Sequence, residues 1–268
     1  DRTILGVVST VNEVGMYEQS QKMVRMAVSI VTSLGIVMLP RITNMISNNN
    51  AKEEINELLR KSLNLTLFIS LGCTFGLVSI NKNFVPWFFG NEYLEVALLL
   101  DITSIVCVLT ALGGFLSNQY AIPKGNKRAY MIPLVSAAIT SIILTSILGE
   151  RFGAIGAGIS IVITESIALL LRLIYLKNEL NYKYLFSDLY KFILSGIFMF
   201  ISISFLRYSL ELRPSILSTI VEVLSGGSVY CICVLIFNKE YLYYIRNSKI
   251  LSLLNKLSIS KTVLNLKK

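Results

Sequence analysis

Runs of predominantly apolar residues, each long enough to cross a bilayer, constrain this chain more than any motif does. They fall at about 17–47, 58–82, 93–120, 128–149, 152–177, 188–208 and 215–237, and a helix needs roughly 20 such residues to span the hydrocarbon. A shorter run, "ILGVVSTV", ends near Val11 and has the form of a span whose beginning is missing. The runs do not alternate as the strands of a membrane barrel would, and lipid admits only helices or closed barrels. The expected fold is therefore an all-α integral membrane protein of about seven full transmembrane helices plus a truncated first one. Composition agrees: 54% of the 268 residues are hydrophobic and 15% charged, with mean hydropathy +0.65. Soluble domains carry about 25% charged residues.

The connectors read from the sequence are "TVNEVG", "NNNAKEEINE", "NKNFVPWFFGNEY", "PKGNKR", "GERFGAIG", "NELNYKYLFSD" and "LELRPS". Alternate ones are rich in cations. One set holds Arg41, Lys52, Arg60, Lys61, Lys124, Lys127, Arg128, Lys177, Lys183 and Lys191, and the tail adds more; the opposite set holds Lys82, Arg151, Arg207 and Arg213. The positive-inside rule places the first set, and the C-terminus, in the cytoplasm. The net charge of +9 thus reports topology and anionic headgroups rather than nucleic acid. The tail at 238–268 spaces aliphatics and lysines like an interfacial amphipathic helix, with Tyr241, Tyr243 and Tyr244 in the headgroup belt. Trp87, Phe84, Phe88 and Phe89 form a second aromatic belt.

Several chemistries lose their usual carriers. The chain has no histidine, hence no imidazole acid–base group and no commonest metal ligand. Cys73, Cys107, Cys231 and Cys233 all lie in apolar runs without metal-site spacing, and are expected to be buried free thiols. No cofactor or metal is implied. An enzyme of the polysaccharide polymerase or ligase kind would need a large outer loop and a convergent acid set, and neither is present.

Charges inside the spans are the informative residues, because each costs several kcal/mol unless paired, hydrated or snorkelling. Counting at ~1.5 Å per residue puts Arg2 some 13 Å from the end of its span, where it requires a polar cavity, an acidic partner or another part of the protein. Lys22 and Arg25, at i and i+3, share one face of the 17–47 helix. That face either lines a cavity or lets the two side chains snorkel. Asp101 lies at a depth that allows an ion pair with Arg25. Glu165, midway along 152–177, is either a protonatable carboxylate for ion coupling or a glutamate held by Thr164 or Ser166. Arg172 shares its face and is expected to snorkel. Gly153, Gly156 and Gly158 suggest close helix packing.

The ordered set "DRTILG", "EVGMYEQSQK", "VMLPRI", "FGNEYLEVALLL", "GNKRAY" and "GAIGAGISIVITES" resembles the C-terminal half of Wzx-type polysaccharide flippases. These belong to the multidrug/oligosaccharidyl-lipid/polysaccharide exporter superfamily. The resemblance covers residues 1 to about 237. It implies a C-terminal six-helix lobe at 1–177, two additional helices at 178–237, and a basic cytoplasmic tail at 238–268, with the N-terminal lobe absent. It implies translocation of an undecaprenyl-pyrophosphate-linked oligosaccharide across the bacterial cytoplasmic membrane by alternating access, for capsule or O-antigen synthesis, with other polysaccharide-assembly proteins as possible partners. Arg2, Arg25 and Lys22 would then contribute to a cationic lining for the pyrophosphate. The alternatives are a lipid II flippase or a drug antiporter of the same superfamily, the latter expected to favour acidic cavity residues.

Overall fold

The computed structural model describes residues 2–48 and 52–238 of the chain; the tail tyrosines lie outside the described residues. Nothing but helices and turns occurs among them. Helix α1 (Arg2–Val8) leads through Ser9 and Thr10 into α2 (Val11–Ser47), and α3 (Lys52–Phe88) returns. Next come α4 (Glu95–Thr103), α5 (Ile105–Gly114) and a π-helical turn, Phe115–Ala121, which together form one crossing. Helix α6 (Lys127–Leu176) is followed by the short α7 (Tyr182–Leu185), then α8 (Leu189–Ser209) and α9 (Ile216–Phe237). Six helical stretches are long and apolar enough to cross a membrane. One of them, α6, is broken at Gly153 into 127–152 and 154–176, which makes seven candidate crossings among the described residues, the number expected.

Several of the expected connectors are differently built: α3 takes in 52–57 of one and 81–88 of another. "TVNEVG" is helical from Val11, because Thr10 caps α2 by accepting a hydrogen bond from the Glu13 amide. "GERFGAIG" is not a loop but a kink at one residue. Gly153 has φ 56° and ψ −133°, a left-handed conformation that side chains disfavour. The helix that restarts there is capped from 141 residues away, with the Glu13 carboxylate accepting from the Ala154 amide at 2.6 Å. A carboxylate at a helix N-terminus satisfies an orphan N–H and complements the dipole. Glycine also permits close approach further along: a β-carbon at Gly158 would press on Leu99 and Thr103 at 3.2–3.3 Å.

Two apolar cores support the bundle. One joins α1, the first half of α2, α4 and the second half of α6 through Leu5, Tyr17, Val24, Leu99 and Ala157. The other surrounds α3, where Leu59, Leu63 and Leu67 meet Phe115, Phe192 and Val234. Helix α3 is thus the pillar against which α8 and α9 stand. Polar knots fasten both ends of that contact. At the end carrying most cations, Asp188 accepts from Arg60 (2.7 Å), Lys191 (2.5 Å) and Asn64 (3.1 Å). At the far end, fully buried Glu222 accepts from Arg207 Nε (2.9 Å) and from Asn83 (2.5 Å). Trp87 Nε1 donates to Thr219 at 2.8 Å, so this tryptophan is a fixed anchor as well as a belt residue.

The Glu222 carboxylate serves two donors at once, which makes its charge expensive to remove. Glu222→Gln keeps the shape but leaves Arg207 without its counter-charge in a covered site. We expect a loss of about 1–3 kcal/mol, read as a lower unfolding temperature of the full-length protein in detergent. An unchanged unfolding temperature would mean that the knot contributes nothing net.

Of the four thiols, Cys107 is buried, Cys73 and Cys233 are half-buried and Cys231 is exposed; none is in a disulfide. The expectation of four buried thiols is therefore corrected. The 215–237 helix packs one face on α3 and α8 and turns Cys231 outward.

Candidate functional site

Helix α2 has two faces. Tyr17, Gln21, Val24 and Val31 are buried against the core. The opposite stripe, Lys22, Arg25, Met26, Ser29, Ile30, Ser33, Ile36 and Val37, is exposed along the helix. This follows from 3.6-residue periodicity, since these positions recur at steps of three and four. The stripe mixes cations and hydroxyls with aliphatics, unlike a face made for lipid. The hydroxyls of Ser29 and Ser33 are held by their own helix, donating to the Met26 and Ile30 carbonyls at 2.7 Å each.

Of the five residues singled out from the sequence, the structure gathers two around a third that the sequence reading missed. Arg2 Nη1 lies 3.0 Å from Glu18 Oε1, and Lys22 Nζ lies 3.7 Å from the same oxygen. The acidic partner required for Arg2 is therefore Glu18. It was legible, because Glu18 and Lys22 have the favourable i, i+4 order for an acid–base pair on a helix. Both cations remain largely exposed, 63% for Arg2 and 54% for Lys22, against 28% for Glu18. The trio has one net positive charge and presents it outward.

Arg25 stands one turn further along the stripe. It is exposed and makes no hydrogen bond or ion pair within 4.0 Å among the described residues. The expected pair with Asp101 does not form. Asp101 instead accepts from Asn81 Nδ2 at 2.6 Å, and the same amide also donates to the Ala97 carbonyl. Asn81 projects from α3 at the level of α4 and satisfies the carboxylate locally, so Asp101 leaves Arg25 free. Taking the Glu13–Ala154 kink as the reference level, Glu18, Lys22 and Arg25 follow at about 7, 13 and 18 Å along the helix. A ladder of charge thus descends one face of α2.

Glu165 is half-buried in the seam between α5 and the second half of α6, beside the Thr110 hydroxyl and within electrostatic reach of Arg172. The local partners expected for it are not used. Ser166 donates to the Val162 carbonyl, and Thr164 Oγ1 has no partner. Among the described residues no group of histidines, cysteines and acids could hold a metal ion. Separately, a wholly apolar cavity of about 270 Å³ opens between α3, α8 and α9, lined by Leu65, Phe68, Phe192, Cys231, Val234 and Leu235. It offers no donor to phosphate or sugar, but suits a hydrocarbon chain.

Comparison with known proteins places this architecture. The family model described as "Polysaccharide biosynthesis protein" matches residues 1–98, which include α1, α2, α3 and the start of α4. The curated protein "Lipid II flippase MurJ" of Bacillus subtilis (strain 168) is 24% identical over 226 residues, covering 80% of this chain and 41% of its own length. A solved structure, "Lipid II flippase MurJ, inward closed conformation", superposes with a TM-score of 0.74 at 19% identity, over 89% of this chain and 50% of that one. The chain therefore spans about half the length of these relatives. In local sequence it is similar to a polysaccharide biosynthesis family and to a lipid II flippase, and its all-helical fold is that of the solved flippase structure.

Proposed function

We propose that this chain forms one lobe of a flippase that moves undecaprenyl-pyrophosphate-linked oligosaccharide repeat units across the bacterial cytoplasmic membrane. The observation that carries the reading is the exposed stripe of α2, on which an unpaired Arg25 follows the Arg2–Glu18–Lys22 trio. An unpaired arginine is costly against hydrocarbon, and guanidinium matches the oxygens of a pyrophosphate. The stripe makes physical sense as one wall of a hydrated cavity, closed on its other side by a second lobe. Rocking of the two lobes would expose the cavity to each side in turn. The isoprenoid tail stays in apolar surroundings, for which the cavity between α3, α8 and α9 is suited. The protein acts as a transporter rather than an enzyme. Its cation-rich end and C-terminus face the cytoplasm, by the asymmetry of the connectors.

Within this reading Arg25 is the principal pyrophosphate ligand, with Arg2 and Lys22 raising the local potential while Glu18 keeps them from collapsing into the cavity. Glu165 is the candidate for ion coupling, since it lies in a helix seam without a close counter-ion. Asp101, held by Asn81, has a structural role. A second reading, transport of lipid II, is favoured by the names of the relatives above and uses the same pyrophosphate chemistry. Deletion of the gene separates the two. Loss of a surface polymer with its lipid-linked repeat unit trapped on the cytoplasmic side supports the first, whereas accumulation of peptidoglycan precursor supports the second. Normal levels of both would sink the flippase reading.

A further inference from the structure

Arg172 is a half-buried cation that the proposed transport path does not use. It lies four residues before the end of α6, where a long side chain was expected to reach back toward the cation-rich end. Helical side chains lean toward their own N-terminus, which for this segment points away from that end. The guanidinium follows that direction and lies on α5. A β-carbon at Gly113 would come within 2.7 Å of Arg172 Nη1, so glycine leaves the space that the fork occupies. Arg172 makes no hydrogen bond or ion pair within 4.0 Å among the described residues, and its Nε is buried without a partner.

The groups facing it are Glu165, two turns back on the same helix, and Tyr130 from the first half of α6. At the two ends of α6 and in the turn before it, Lys124, Lys127, Arg128 and Lys177 are all exposed. The one acid there, Glu179, is engaged by Asn126 at 2.7 Å. The first half of α6 exposes Met131, Ile132, Leu134 and Val135. This notch therefore combines a half-buried, unpartnered guanidinium, exposed cations at both ends of α6 and an exposed apolar surface on its first half. It is formed by α5 and α6, not by the stripe of α2 assigned to cargo.

We propose that this notch binds the phosphate of an anionic phospholipid from the surrounding leaflet. The phosphate would accept from the Arg172 fork, which is suited to two parallel hydrogen bonds. Lys127, Arg128 and Lys177 would draw the headgroup in, and the acyl chains would lie along Met131 and Val135. Basic pockets between transmembrane helices at a cytoplasmic face recognise such headgroups. The inference does not depend on which cargo is moved.

Native mass spectrometry of the full-length protein, titrated with phosphatidylglycerol or phosphatidylcholine, tests it. The wild type is expected to retain phosphatidylglycerol in preference, and Arg172→Gln to lose that preference by about fivefold or more. Arg172→Lys should keep part of it, and a Lys127→Gln, Arg128→Gln double variant should weaken it without touching the fork. If Arg172→Gln does not fold, the double variant alone decides, with wild-type retention counting against the proposal. Undiminished phosphatidylglycerol binding by Arg172→Gln would overturn it. So would displacement by millimolar inorganic phosphate, or equal competition by undecaprenyl diphosphate, which would assign the notch to a free anion or to cargo.

Discussion

Arg25→Ala in the full-length protein should reduce polymer export by at least tenfold while leaving membrane abundance near normal. Arg25 is exposed and makes no hydrogen bond or ion pair among the described residues. Its removal breaks no ion pair and opens no core, so surface substitutions of this kind leave stability within about 0.5 kcal/mol. In the proposed role it removes a charge-assisted contact with an oxyanion, and a tenfold effect needs only about 1.4 kcal/mol. Arg25→Lys keeps the charge but not the planar fork, and is expected to fall between the two. Arg2→Ala should be milder, because Lys22 remains on Glu18. Export unaffected in all of these would return the stripe to a packing or snorkelling role.

Gly153→Val should have the largest effect on folding. The residue must adopt φ 56°, which costs a β-branched side chain about 1–3 kcal/mol. Its β-carbon would also meet Glu13 Oε2 at 2.5 Å, evicting the carboxylate that caps the restarted helix. Loss of that cap adds roughly 0.5–2 kcal/mol. Together these come to roughly 1.5–5 kcal/mol, a large share of the stability of an ordinary domain, about 5–15 kcal/mol, so the amount of folded full-length protein in the membrane should fall clearly. Gly153→Ala should be less severe but still destabilising. Glu13→Gln tests the mechanism separately: it keeps an acceptor for the Ala154 amide and loses only the charge, so it should cost less than Glu13→Ala. If Gly153→Val accumulates and unfolds like wild type, the kink is not the constraint described here.

The helical spans were legible because span length and apolar composition are local properties. Contacts between distant residues were not. "GERFGAIG" looks like a loop in one dimension, and only the carboxylate of Glu13, arriving from another helix, lets the chain restart a helix at Ala154 without one. Glu222 stands inside an apolar run and pairs with Arg207, which by itself resembles an ordinary loop cation. Half-buried Glu18 and buried Glu222 carry the same cost inside an apolar span as Arg2 and Arg25, since hydrocarbon penalises either sign of charge. Asp101 illustrates the limit of depth counting. It lies at a level compatible with Arg25, but depth does not say which way a side chain turns, and an asparagine on α3 is nearer. Arg172 was misread for a related reason: proximity to the membrane surface suggested snorkelling, whereas the lean of a helical side chain carried it the other way.

The central claim is that the Lys22–Val37 stripe of α2 faces a hydrated, anion-attracting cavity rather than lipid. The most direct test is cysteine accessibility in the full-length protein with the four native cysteines replaced. Ser29→Cys and Ser33→Cys flank the level below Arg25, and Ile201→Cys on α8 is an exposed apolar position for comparison. A negatively charged, membrane-impermeant thiol reagent should modify the two stripe positions in intact membranes, more slowly when Arg25 is alanine, and added undecaprenyl-pyrophosphate glycan should protect them. Ile201→Cys should remain unmodified. Stripe cysteines as unreactive as Ile201→Cys would place this face of α2 against lipid and contradict the account.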